Sequence, residues 1–233
     1  MARRSITFYP GLFYHIYNRG AHKISLFRDD GDYLRLLHLL KEYSNLLSLS
    51  VIAYCLMPNH YHWLVRQDGA AAARLLPQRV FTSYSHAFNT RRGHSGTLFE
   101  GRFKAIPVTD ENYLHQLCRY IHANPVRHGF TADPGLWPYS NYLEWIGERN
   151  GKSVDREFVI EHFGTAEAYK AFVISYVRGQ TILRRLLASP RFRVIDSSPK
   201  SPLARRHQSR SIIVTCAASL GRASVRGCGE RMF

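Results

Sequence analysis

The sequence predicts an α+β sandwich, an antiparallel central sheet with flanking helices. Three observations carry that expectation. Short runs rich in β-branched and aromatic residues, such as 51–57 and 60–66, are interrupted at Met57-Pro58-Asn59, where Pro and Asn favour a turn. Longer segments, at 29–48 and 109–124, repeat their apolar residues at helical spacing. The chain has 233 residues, enough for one sizeable domain plus extras. We expect a folded body at 1–180 and a basic tail at 181–233.

In chain order, residues 12–18 read as a strand closed by Arg19-Gly20, with Phe13, His15 and Tyr17 on one face. A lone strand histidine such as His15 reads as structural. Residues 29–48 form a helix: acids open it, and Tyr33, Leu36, Leu37, Leu40, Tyr43 and Leu47 make its apolar stripe. Two central strands follow at 51–57 and 60–66. The helical region 70–92 carries Arg74, Arg79, Arg91 and Arg92 among Phe81, Tyr84 and Phe88, either as a solvated face or as a DNA contact. Residues 98–108 read as a further strand, where Phe99 and Phe103 alternate with Arg102 and Lys104. That mixture suits unstacked bases and phosphates. The next helix is expected to be capped by Thr109 and to bury Leu114, Leu117, Cys118 and Ile121. Pro125 is expected to stop it at Asn124. Short helices are expected at 156–162 and 166–177. From Ser189 onward Pro190, Pro199, Pro202, serines and arginines argue for a disordered tail, with 211–216 a candidate short strand.

The formal net charge of +15 favours a polyanion, nucleic acid before an anionic membrane surface. The tail adds to it, since only Asp196 and Glu230 are acidic after Thr181. No apolar run reaches the roughly 18 residues of a membrane span. Met1-Ala2-Arg3-Arg4-Ser5 has no apolar stretch behind it, so no secretory signal is expected. Cys55 and Cys118 lie in apolar runs and read as buried free thiols, and Cys216 and Cys228 lack zinc-finger spacing. A reducing, cytoplasmic and nucleoid-associated location follows as an expectation.

His60 and His62 are two apart on a strand, so they share a face, about 7 Å apart, and can converge on one metal ion. Tyr61, Trp63 and Val65 point the other way. Two satisfied sheet histidines are the plain alternative. On a helical wheel Tyr113, Tyr120 and Asn124 fall within about 40° of one another, flanking the apolar stripe. Tyr120 and Asn124 should then sit one turn apart at the seam over the face carrying the histidines. A core-edge tyrosine and a helix-capping asparagine are the plain alternatives.

His60-Tyr61-His62 on a strand, with a separate helical tyrosine, resembles the HUH endonucleases. Met57-Pro58-Asn59-His60-Tyr61-His62 and Tyr120-Ile121-His122-Ala123-Asn124-Pro125-Val126-Arg127 resemble the single-tyrosine transposases of insertion sequences, above all the REP-associated tyrosine transposases. The resemblance spans residues 9–142. It implies a ferredoxin-like HUH fold and Tyr120 as nucleophile. His60 and His62 would be ligands for a divalent cation, Mg²⁺ or Mn²⁺, and imidazoles suit Mn²⁺ better. Asn124 stands where related enzymes have a glutamine ligand. Arg19, Arg102, Lys104 and Arg127 are the expected DNA contacts. The implied reaction is cutting and rejoining of single-stranded DNA carrying a hairpin or palindromic repeat, leaving a 5′-phosphotyrosine and a free 3′-OH. Such a step needs a placed nucleophile and positive charge on the phosphate oxygens. A homodimer is left open. The other function classes weighed are a catalytically idle nucleic-acid-binding module and a rolling-circle initiator or relaxase.

Overall fold

The alternating runs form, among the described residues, one sheet of four strands: β1 (Phe13–Arg19), β2 (Leu49–Met57), β3 (His60–Gln67) and β4 (Lys104–Val108). The structure, a computed structural model, describes residues 6–151 and 154–188. The strand order is β2-β3-β1-β4, and every neighbouring pair is antiparallel. Pro58 and Asn59 make the turn between β2 and β3.

The pleat of β3 divides the core in two. Tyr61, Trp63 and Val65 join a cluster with Leu36, Leu40, Val80 and Tyr84 from α1 (Asp30–Leu46) and α2 (Leu75–Arg92). Leu64 packs on the opposite face with Leu114, Leu117, Cys118 and Ile121 of α3 (Glu111–Arg127). Behind α3 lie α4 (Tyr142–Trp145), α5 (Arg156–Phe163) and α6 (Ala166–Ala188). The two helical stripes expected from periodicity are thus buried, on opposite faces of the sheet. Cys55 and Cys118 are buried free thiols.

Several boundaries differ from expectation for local reasons. The cap of α3 is Asp110, not Thr109: its carboxylate accepts from the backbone N–H of Tyr113 at 2.7 Å. Nor does Pro125 stop α3 at Asn124, because the helix continues to Arg127. A proline there loses one bond, to the Ile121 carbonyl. The next carbonyls are still used, Asn124 O by His128 N at 3.0 Å and Pro125 O by Phe130 N at 2.9 Å. Asn124 and Pro125 are also both buried, which holds them in the helix. The strand expected at 98–108 is ordered as sheet only from Lys104. Phe99 touches the sheet through a single bridge to Gly20, and Gly101 then turns the chain at φ +71°. The helix expected at 70–92 begins at Leu75.

The free edge of β2 is covered by residues 137–141. Leu56 N donates to Tyr139 O at 2.9 Å, and Trp137 Nε1 to Leu56 O at 3.0 Å. The Asn141 amide accepts from Tyr54 N and donates to Ile52 O, both at 2.8 Å. An exposed edge that could pair with another chain is thereby closed.

Arg91 and Arg92 are held in ion pairs, with Arg92 largely buried and Arg91 still half exposed. They bind Asp29 and Asp32 at the start of α1, with Arg91 Nη1–Asp32 Oδ1 at 3.1 Å and Arg92 Nη2–Asp32 Oδ2 at 2.9 Å. The expected disordered tail after Ser189, and the candidate strand at 211–216, lie outside the described residues. Among those described, no helix is long and apolar enough to cross a membrane.

Candidate active site

Strand register places the histidine pair. β3 lies between β1 and β2, with Arg19 opposite His60 and Tyr17 opposite His62. Both imidazoles project toward α3, with ring centroids 5.3 Å apart. His60 Nδ1 lies 2.8 Å from the amide oxygen of Asn59, so it donates there, and Nε2 keeps its lone pair. That Nε2 lies 3.5 Å from Oδ1 of Asn124. His62 is buried, and its Nδ1 is 3.0 Å from Nε2 of His15. Desolvation, then the neighbouring His128, lowers the His60 pKa to about 4. Desolvation, then His15 and His60, holds His62 well below the usual imidazole value. Both rings are therefore neutral at pH 7, the form that binds a metal.

The helix supplies the other half. Tyr120 meets His62 edge-on at 5.3 Å between ring centroids and His15 at 6.4 Å. Asn124, one turn later, donates its Nδ2 to the Tyr120 carbonyl at 3.1 Å, which turns its oxygen toward His60. The Arg127 guanidinium lies 4.4 Å over the Tyr120 ring. Tyr120, Tyr113, His15 and Tyr176 share the lining of a cleft of about 300 Å³. A larger hollow of about 500 Å³, between α1 and β2, contains none of the expected site residues.

His60 Nε2 and Asn124 Oδ1 stand 3.5 Å apart beside the His62 ring, and two imidazoles with an amide oxygen are donor types that suit a divalent ion. Asn59, which orients His60, and His15, beside His62, are the kind of outer partners that fix ligand tautomers.

The expected DNA contacts are more scattered. Arg19 is ion-paired with Glu100, Nη2–Oε1 at 2.8 Å, so its charge is partly committed. Lys104 is exposed and lies 5.9 Å from the Tyr17 ring centroid. Arg102 sits in an exposed bend. Phe99 and Phe103, read as suited to unstacked bases, are half-buried and pack on the α1/α2 core, with Phe99 4.5 Å from Phe81. Sequence reasoning missed His15 and His128 as neighbours of the pair, the latter with its ring 4.8 Å from that of His60. It also missed His122, which is structural: its Nε2 is 2.9 Å from Asn141 Oδ1 and its Nδ1 contacts the Tyr169 hydroxyl.

Residues 9–124 match the family model of IS200-like transposases. The chain belongs to that family. The chain is similar to a Haemophilus influenzae protein described as a candidate REP-associated tyrosine transposase, with 28% identity over 101 residues. The alignment takes in 39% of this chain and 57% of that one, so the chain spans little more than half of the relative's length. A solved REP-associated tyrosine transposase, bound to a REP hairpin, shares the fold with a TM-score of 0.54. Its sequence identity is 16%, and the match covers 67% of this chain and 98% of that one. The expected antiparallel sheet with flanking helices is thus the family's fold.

Proposed function

We propose that this chain cuts and rejoins single-stranded hairpin DNA, with Tyr120 as nucleophile and a divalent cation held by His60, His62 and Asn124. The observation that carries the reading is the helix α3. It brings Tyr120 to 5.3 Å from the His62 ring and, one turn on, Asn124 to 3.5 Å from His60 Nε2. A tyrosine without such neighbours is a packing residue; here the phenol borders both a cleft and a donor set.

In the proposed step the Tyr120 oxygen bonds to phosphorus while the bond to the 3′ oxygen breaks. The phenol loses its proton and the departing oxygen gains one, leaving a 5′-phosphotyrosine and a 3′-OH. A bound cation would polarise the non-bridging oxygens. Neutral His60 and His62 keep lone pairs available, and Arg127 brings fixed positive charge to the phenol's ring face. A phosphotyrosine preserves the bond energy that a later 3′-OH attack needs, which suits strand transfer better than hydrolysis.

The test is covalent capture. Wild type, Tyr120→Phe and Tyr113→Phe are incubated with labelled hairpin single-stranded DNA and Mn²⁺, then denatured and resolved on a gel. A shifted protein band is expected in wild type and Tyr113→Phe and absent in Tyr120→Phe. A band that persists in Tyr120→Phe overturns the assignment. Tyr113 is the fair control, because it lines the same cleft but is more exposed and lies two turns from Tyr120.

A further inference from the structure

Glu111, His115 and His162 meet where the first turns of α3 abut the end of α5. Glu111 and His115 are four residues apart on α3 and so stack on one face. His162 comes from the last turn of α5. His115 Nε2 lies 3.4 Å from His162 Nδ1. Glu111 Oε1 lies 3.7 Å from His162 Nδ1 and 3.9 Å from His115 Nε2. Ligand atoms around a tetrahedral zinc, at about 2.0–2.1 Å from the metal, stand roughly 3.3–3.4 Å from one another. The three donors already approach that spacing.

We propose that Glu111, His115 and His162 form a second divalent-cation site, of the zinc class, that ties α3 to α5. Two imidazoles and one carboxylate are a ligand set zinc accepts, and the fourth position would fall to water. The rings are held by packing: His162 stands 4.3 Å from Phe158 and His115 4.9 Å from Phe163, centroid to centroid. Little side-chain freedom is then lost by the histidines on binding, while the exposed Glu111 closes over the ion. The site is apart from the His60–His62 centre, since nine residues of helix, about 14 Å at 1.5 Å per residue, separate His115 from Asn124. Its role would be to brace the helix that carries Tyr120, and not to touch the scissile phosphate.

The test uses the full chain carrying His60→Ala and His62→Ala, so that the first centre is silent and the result is independent of the proposed reaction. Co²⁺ is titrated and followed by visible absorption, and melting is measured with and without Zn²⁺. One Co²⁺ per chain is expected, with tetrahedral bands and no sulfur-to-metal charge-transfer band. The melting temperature should rise with Zn²⁺, as for any ligand that binds only the folded state. Adding His162→Gln should abolish both effects, and Glu111→Gln should weaken binding at least tenfold. Glu111 is exposed, so that variant keeps the test valid if His162→Gln does not fold. Unchanged Co²⁺ affinity in Glu111→Gln and in every folded His162 variant, or bands that require cysteine ligands, would overturn the proposal.

Discussion

His15 Nε2 stands 3.0 Å from His62 Nδ1, and the other nitrogen of His15 is buried with no hydrogen-bond partner among the described residues. Only one proton can lie between the two rings. If His62 Nδ1 donates, its Nε2 is left bare for a metal. If His15 donates, His62 carries its proton on Nε2 and cannot ligate. His15 therefore acts on the tautomer of His62, and a bound cation would select the first arrangement.

His15→Ala should weaken Mn²⁺ binding by about 10–100-fold, the usual cost of losing an outer partner of a ligating histidine. Calorimetric titration of the full chain measures it. Affinity equal to wild type would show that His62 needs no help from β1.

Asn124→Ala should lower the yield of covalent adduct at least tenfold, or about 1.4 kcal/mol of barrier. Asn124→Gln should retain most of it, since the longer amide still offers an oxygen to the ion. Single-turnover capture on hairpin DNA separates the two. An Ala variant as fast as wild type removes Asn124 from the ligand set.

Stability should fall in mild acid. Burial lowers His15 and His122 to about 4 in the folded chain, against an ordinary value near 6.5. The unfolded chain takes up protons at the higher pH, so the stabilising contribution is complete above about 6.5 and is lost as pH falls toward 4. The loss is on the order of 3 kcal/mol for each ring at that pKa difference. Urea midpoints measured from pH 7.5 to 4.5 should drop steeply, and a flat series would contradict this account.

Removing the chain from Pro190 onward should make the salt dependence of DNA binding shallower while leaving site choice intact. The segment is rich in arginine and contains only two acids, so its effect is expected through counterion release. Binding isotherms across salt concentrations, on hairpin and scrambled strands, test it. Loss of discrimination between the strands would assign the segment a reading role.

Much of the site was legible because it rests on two rigid periods. Period two on β3 put His60 and His62 on one face, and the helical period put Tyr120 and Asn124 on one flank of a stripe that is indeed buried. What the sequence hid was pairing across elements. His15 became a neighbour of His62 only because β1 and β3 are adjacent with Tyr17 opposite His62. The ion pairs of Arg91 and Arg92 exist only because the fold brings Asp29 and Asp32 to them. Residues 98–108 read as one strand because alternation with charges hides a turn, and Gly101 re-aims the chain there. Pro125 misled for a similar reason: a local rule about helix ends yields when the residues on both sides of the peptide are buried.

The hydrogen bond from Asn124 to the Tyr120 carbonyl fixes the Asn124 side chain to the helix backbone that also carries Tyr120. Rotating α3 by a few degrees would carry both away from the sheet together. A one-residue insertion between them would turn one by about 100° relative to the other. The four-residue interval is thus as much a requirement of the proposed site as the two side chains that it sets one turn apart.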